Sequence, residues 1–428
     1  MPEQKYSSLE EYYSNIVRRS VEECTLCGEC VDKCPIFPVT QMKDKEIMQK
    51  VIDFLKDGSF DNDVYLKAFS CAGCGYCSDY CPQGIDPLLL HEAVKIELVK
   101  RGEKPPEVMN FVVPGQRFNL YKILSALQMK PSEARWLDRV PLHPERKENV
   151  IFFGCSPVAL PHNVFSFLDV LEKMGIDFVA LTGGDLCCGT TFCPAAGKVG
   201  ESEKKARELI ASVKAFSPKR IILICNGCYR QFTEFFPNFL ELDFEVQYYT
   251  KFFEENLAKI SFTKPLDKTV ILYESCMSRR TRVNKSARRL LEAIPGLRLV
   301  EWCNNKEQAL CCGGIANMTY PQMGQKLGYN LLEHVQKTVA DYMVNTCYFC
   351  GLSSYPQIRR YSFGFKDIVT LLNESMGGRE YEDKLDKYWK CESVDEIIKK
   401  SKENFEANGY AEEEMRQILP LIFSFSGT

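Results

Sequence analysis

The chain has 428 residues, enough for two to four domains, and 45% are apolar against 26% charged, the balance of a chain that buries real cores. With 54 Lys and Arg against 57 Asp and Glu the net charge is −3, which excludes the basic excess that nucleic-acid-binding domains carry. The start, MPEQKYSSLEEYY, is acidic and polar where a secretory signal needs a basic end and an apolar run. The longest uncharged stretch, Asn149 to Leu168, is broken by Gly154, Pro157 and Pro161, so no membrane span and a cytoplasmic location are expected. The abnormal count is 21 cysteines beside four histidines. In a reducing compartment that number points to bound metal, since a disulfide framework would not persist there.

The first eight cysteines form two copies of C-x2-C-x2-C-x3-C-P: Cys24, Cys27, Cys30 and Cys34 before Pro35, then Cys71, Cys74, Cys77 and Cys81 before Pro82. Three thiolates on one tight loop can bind three corners of a cubane, and the fourth reaches across to the other cluster. The expected sets are Cys24, Cys27, Cys30 and Cys81 for one [4Fe–4S] cubane, and Cys71, Cys74, Cys77 and Cys34 for the other. Structural zinc is the competing reading, but zinc sites come as separated C-x2-C pairs. The triple at x2 spacing, twice over, favours iron–sulfur. Between the motifs, IMQKVIDFLKDG and DVYLKAF carry helical periodicity, so the N-terminal unit is expected to be an all-helical ferredoxin-type domain.

A charged, Pro-rich stretch from Lys100 to Asn149 reads as a linker with helical pieces. Beyond it the cysteines repeat. Cys155, the pair Cys187-Cys188, then Cys225 and Cys228 form the first set; Cys276, the pair Cys311-Cys312, then Cys347 and Cys350 form the second, offset by 121 to 124 residues. Apolar β-branched runs precede the leading cysteine (NVIFFGC, TVILYESC) and each C-x2-C (RIILICNGC, DYMVNTCYFC). These read as buried strands whose ends present a thiolate, with amphipathic helices such as VGESEKKARELIASVKAF between them. Each repeat is then a small α/β domain with its cysteines at one end of a sheet. An ordinary cubane needs four thiolates, and each repeat supplies five.

This C-Xn-CCG-Xn-CxxC pattern, doubled and preceded by two ferredoxin motifs, resembles the CCG domains of heterodisulfide reductase. Residues 20–375 resemble the D-type chain of that enzyme, a fusion of its B-type and C-type chains. The resemblance implies an α+β multidomain chain: a helical ferredoxin-type domain at 1–100, a linker at 101–148, two pseudo-symmetric α/β CCG domains at 149–265 and 266–376, and a helical tail at 377–428. It implies two cubane [4Fe–4S] clusters and two non-cubane [4Fe–4S] clusters. Cys155, Cys187, Cys188, Cys225 and Cys228 would hold one non-cubane cluster; Cys276, Cys311, Cys312, Cys347 and Cys350 would hold the other, with a disulfide reduced between them. It also implies redox partners: a flavin and iron–sulfur protein, a haem b protein or a dehydrogenase, with any membrane attachment made through the partner. The same architecture serves as a pure electron relay in other complexes, so relay is the alternative to catalysis.

Other features take plainer readings. Cys193, Cys303 and Cys391 have no counterpart in the repeats and read as unligated thiols. His162 follows Cys155 by seven residues and is weighed as a cluster neighbour against an ordinary buried histidine. Gly183-Gly184 and Gly313-Gly314 adjoin the double cysteines and let backbone wrap close to sulfur. No G-x-G-x-x-G or Walker loop follows a strand, so neither nucleotide nor flavin is expected on this chain. The run SRRTRVNKSARR places Arg279, Arg280, Arg282, Lys285, Arg288 and Arg289 after Cys276. It is either a solvated helix face, with 282, 285 and 289 aligned, or a surface for an anionic substrate or an acidic partner.

Overall fold

A computed structural model describes residues 5–37, 42–183, 186–275, 278, 282–302, 309–358 and 360–423. Cys276, Cys303, Gly184, Arg279 and Arg280 lie outside the described residues.

Helices α1 (Leu9–Glu23), α2 (Glu29–Asp32), α3 (Asp44–Asp57), α4 (Asn62–Phe69), α5 (Tyr76–Asp79) and α6 (Pro87–Lys100) make up the N-terminal part. Helix α6 starts where Asp86 accepts from the Leu88 and Leu89 N–H groups, with Pro87 at the first helical position. Its sequence PLLLHEAVKIELVK is apolar on several sides, and it is buried from Pro87 to Ile96, so it forms the central post of this unit. Among the described residues no helix is long and apolar enough to cross a membrane.

The two cysteine repeats each fold on a four-stranded parallel sheet. In the first, β1 (Asn149–Phe152), β2 (Phe178–Leu181), β3 (Arg220–Leu223) and β4 (Glu245–Tyr248) run in the order β2-β1-β3-β4. In the second, β5 (Lys268–Tyr273), β6 (Leu297–Leu299), β7 (Tyr342–Asn345) and β8 (Gly364–Asp367) run in the order β6-β5-β7-β8. The central strands are continuously apolar because helices cover both faces: Val150 to Phe152 and Val270 to Tyr273 are all buried.

From Leu120 to the end of the chain come α7 (Leu120–Gln128), α8 (Pro161–Lys173), α9 (Val199–Lys214), α10 (Asn226–Arg230), α11 (Phe236–Phe239), α12 (Tyr249–Glu255), α13 (Asn284–Ala293), α14 (Gly314–Thr319), α15 (Pro321–Gln336), α16 (Tyr348–Ile358), α17 (Ile368–Ser375), α18 (Lys384–Trp389), α19 (Val394–Ala407) and α20 (Glu412–Ile422). One hydrophobic core joins Ile151 of β1, Val270 of β5, Leu290 of α13, Val369 of α17 and Ile397 of α19. The same core takes in Met109, Val112, Tyr121, Leu124 and Leu127. Residues 101–148, read from the sequence as a linker, are therefore partly a packed segment. The Tyr388 hydroxyl donates to the Leu127 carbonyl and the Asn404 amide does the same, which ties the C-terminal helices to α7.

Candidate metal and redox site

The two ferredoxin motifs fold so that their loops exchange a cysteine. Cys24, Cys27, Cys30 and Cys81 line one small cavity together with Met48, Ile85 and Leu90. Cys77 has Cys71, Cys74 and Cys34 among its electrostatic neighbours, along with Cys30 of the first set. Gly28 and Gly75, both at positive φ (87° and 71°), begin the one-turn helices α2 and α5 that carry Cys30 and Cys77. Cys27 is exposed, whereas Cys74 and Cys77 are buried. Cys24 and Cys81 are half-buried and Cys30 is buried, while Cys34 and Cys71 are half-buried, so the first set reaches solvent at Cys27 and the second has no exposed cysteine.

Burial pushes the Cys30 thiol up to about 12, so buried thiols like this ionise only beside a cation. One such cation is built in. The Lys67 side chain of α4, only 2% exposed, donates to Cys34 Sγ at 3.0 Å.

The repeats bring their cysteines to a shared place. Cys155, Cys187, Cys188, Cys225 and Cys228 of the first repeat and Cys311, Cys312, Cys347 and Cys350 of the second line one cavity of about 160 Å³. Strand β1 delivers Cys155 from the end of its sheet, and each C-x2-C begins a helix after a central strand, α10 after β3 and α16 after β7. The second cysteine of each pair sits at the hub of its set. Hydrogen bonds from Cys187 and Cys228 hold the Cys188 thiol well below the usual range, and those from Cys311 and Cys350 do the same to Cys312. The first cysteine of each pair accepts a backbone N–H, from Gly189 to Cys187 and from Gly313 to Cys311, both at 3.3 Å. Gly154 lies at φ 71° one residue before Cys155, and a Cβ there would stand 2.9 Å from Cys228 Sγ. That close approach is what the glycine provides.

The rest of the lining is apolar or weakly polar. Met109, Val112 and Tyr121 come from the segment before the first repeat, and Ile315, Met318 and Phe349 from the second. Met109, Val112 and Tyr121 were not foreseen, because a Pro-rich, charged surrounding masked their short apolar pattern. Among the described lining residues there is no carboxylate, lysine, arginine or histidine. The repeats are fastened beside the cavity by the Tyr248 hydroxyl of the first, which donates to the Thr346 carbonyl of the second at 2.5 Å.

The inner ferredoxin set reaches this cavity. Ile36, Ala72 and Cys74 pack against Cys311 and Ala316, and Ala72 itself lines the thiol cavity. On the other side, α1 and α6 dock on the first repeat through a buried ion pair. Arg230 Nη1 donates to Glu92 at 2.6 Å with both side chains 3% exposed, and the Tyr13 hydroxyl donates to the same carboxylate.

The other residues weighed from the sequence fall elsewhere. His162 lies away from the thiols, in a separate cavity of about 470 Å³ lined also by Asn345, Tyr348, Asp367 and Asp383. Its Nε2 is 3.7 Å from Asp383 and burial lowers its pKa. This larger cavity carries no cysteine, so size alone would point away from the chemistry. Arg282 is exposed at φ 57°, two residues before α13 begins, so it does not share a helical face with Lys285 and Arg289 as the spacing had suggested. Arg288 pairs with Glu274 and Glu301, and Arg289 with Glu254. Of the run, no described arginine lines the thiol cavity. Cys193 is a buried thiol, 1% exposed, and Cys391 is buried within the tail, donating to the Lys387 carbonyl.

Comparison with known proteins matches this layout. Residues 20–85 match the 4Fe-4S dicluster domain, and residues 150–233 and 270–353 each match the cysteine-rich domain named CCG. The chain is an iron–sulfur protein of one dicluster domain and two CCG domains. It is homologous to the D-type chains of heterodisulfide reductase. It is 28% identical over 406 residues to the D chain of the dihydromethanophenazine:CoB--CoM heterodisulfide reductase of Methanosarcina acetivorans, covering 83% of this chain and 94% of that one. The B chain of the fumarate reductase (CoM/CoB) of Methanothermobacter marburgensis is 22% identical over 371 residues, covering 83% of this chain and 71% of that one. Among solved structures, a hypothetical protein from Helicobacter pylori shares the fold at a TM-score of 0.51 and 11% identity, covering 88% of this chain and 77% of that one. The chain is thus an iron–sulfur electron-transfer protein, and its relatives are components of larger redox assemblies.

Proposed function

We propose that this chain reduces a small organic disulfide at the cavity shared by the two CCG domains, using electrons delivered through the dicluster domain. The observation that carries the reading is the convergence of nine described cysteines from two repeats on one largely apolar cavity. In this reading Cys24, Cys27, Cys30 and Cys81 hold an outer cubane, and Cys71, Cys74, Cys77 and Cys34 an inner one. Cys155, Cys187, Cys188, Cys225 and Cys228 hold one non-cubane cluster; Cys276, Cys311, Cys312, Cys347 and Cys350 hold its counterpart. The N-terminal unit is the all-helical ferredoxin type, and the CCG domains, at 149–265 and 266–376, are pseudo-symmetric. The identical strand orders support that symmetry.

When bound, the clusters supply electrons one at a time. The chain's own residues do the rest. Met109, Val112, Ile315, Met318 and Phe349 exclude water and offer apolar walls to the arms of a disulfide. The Gly189 and Gly313 N–H groups stabilise charge on cysteine sulfur. Burial keeps the Tyr121 hydroxyl protonated, with its pKa well above the ordinary range. The reaction balances as one disulfide, two electrons and two protons giving two thiols. With no ionisable side chain besides cysteine and tyrosine among the described lining residues, the two protons come from solvent at the cavity mouth. A redox partner would supply the electrons at the exposed Cys27 side.

The test is a disulfide panel offered to the chemically reduced, anaerobically prepared chain. Turnover, together with a change in the oxidised protein's magnetic spectrum when thiol is added, supports catalysis. No turnover and no spectral change, with electrons still passing between partner proteins, would assign the chain as a relay.

A further inference from the structure

We infer that Lys67 makes the inner cubane of the dicluster domain the better electron acceptor of the two, so that electrons run inward from the exposed set to the thiol cavity. This rests on the proposed ligand sets.

Lys67 is a buried cation, 2% exposed, and among the described residues it forms no salt bridge. Its hydrogen bond goes to Cys34 Sγ at 3.0 Å, and its remaining electrostatic neighbours include Cys71 and Cys77. Three of the four inner ligands therefore feel one ammonium. A second ammonium, Lys95, is 4% exposed and acts on Cys71. In the outer set, Cys24 has Lys56, an exposed residue, among its electrostatic neighbours, and Cys30 has a share of Lys67.

A buried lysine is expensive to desolvate unless something negative stands beside it. Four thiolates around an iron–sulfur core supply that charge, and the environment fits the group for that reason. One-electron reduction adds a further negative charge without breaking a bond. A fixed ammonium within hydrogen-bond distance of a ligand sulfur stabilises the reduced form more than the oxidised one, and low dielectric enlarges the effect. With both clusters bound, transfer inward would oxidise the outer one by one electron and reduce the inner one by one electron, with no proton moved. Because Cys74 packs against Cys311, the favoured resting place for that electron is beside the CCG site.

Lys67 is a positioning residue, and its readout is a potential. The full-length protein, prepared without oxygen, is titrated electrochemically while the two cubane signals are followed by magnetic resonance; a Cys81→Ser variant identifies the outer one. In the unaltered protein the inner signal should appear at the higher potential. Lys67→Met should lower the inner midpoint by at least a tenfold change in its reduced-to-oxidised ratio at fixed potential, about 59 mV for one electron. The outer signal should move less and in the same direction, and Lys67→Arg should restore most of the shift. An inner midpoint unmoved by Lys67→Met, or lying below the outer one in the unaltered protein, overturns the inference. If Lys67→Met fails to hold its iron, the order of midpoints in the unaltered protein and the Lys67→Arg value decide. A protein without cubane signals overturns the proposed ligand sets instead, a different and recognisable failure.

Discussion

At the scale of single residues, the site depends on close approaches to sulfur that particular residues permit. Gly154 holds φ 71° with the place of its missing Cβ 2.9 Å from Cys228 Sγ. Gly154→Ala should cost ~1–3 kcal/mol through backbone strain and contact, measured as a lower unfolding midpoint and reduced iron in the purified protein. The hub cysteines are the sharper case. Cys188→Ser and Cys312→Ser should each remove one CCG-domain cluster, seen as about four fewer irons per chain, while Cys24→Ser should leave the CCG spectrum in place. Full iron in the Cys188→Ser protein would mean that the double cysteine is not a ligand pair. The cysteine motifs were legible from spacing, and the dicluster and CCG matches fall on them. Lys67, Glu92 and Arg230 were not. Each is a charge on an ordinary-looking helix, and only the fold shows that the charge is buried and against what.

At the scale of elements, the alternation of apolar runs and amphipathic segments announced strands and helices in both repeats, since a strand buried on both faces must be apolar throughout. The segment 101–148 was harder to read. Its helix α7 is short, its flanks are rich in proline and charge, and nothing local reports that Tyr121 belongs to the wall of a cavity. The tail helices likewise show amphipathic patterns, but not the surface they cover. Helix α17 offers a test by pH. Its N-cap, Asp367, is 3% exposed; one carboxylate oxygen accepts from the Val369 N–H, while Oδ2 has no hydrogen-bond partner among the described residues. Burial pushes this carboxyl up to about 7. The folded protein then binds a proton that the unfolded chain has released above ~4, so this group's contribution to stability falls as pH rises from ~4 to ~7 and is flat beyond. Asp367→Asn keeps the cap without the charge. Thermal unfolding across pH 5 to 8 should show the variant gaining on the parent by up to about 2–4 kcal/mol, and parallel curves would show that Asp367 does not titrate in this range.

At the scale of the whole molecule, two of the contacts that hold the dicluster domain have distinct chemistries. One is the contact of Ile36, Ala72 and Cys74 with Cys311 and Ala316. The other is the buried Glu92–Arg230 pair, reinforced by Tyr13. Arg230→Met alone should cost about 3–5 kcal/mol, because Glu92 is left buried and unpaired. The double variant Glu92→Leu with Arg230→Met should recover much of that loss. Denaturant unfolding of the four proteins of the cycle measures it, and additive losses would show that the two charges do not act together. With both contacts intact, the outer set reaches solvent at Cys27, the inner set packs toward Cys311, and the described CCG cysteines line the cavity beyond it.

The central claim is that all four cysteine groupings hold iron–sulfur clusters in one chain, and metal analysis of the protein purified without oxygen tests it most directly. Four clusters of four irons require about sixteen irons per chain and no stoichiometric zinc. About eight irons with stoichiometric zinc would contradict it, leaving the two cubanes of the dicluster domain and turning the CCG domains into structural zinc sites.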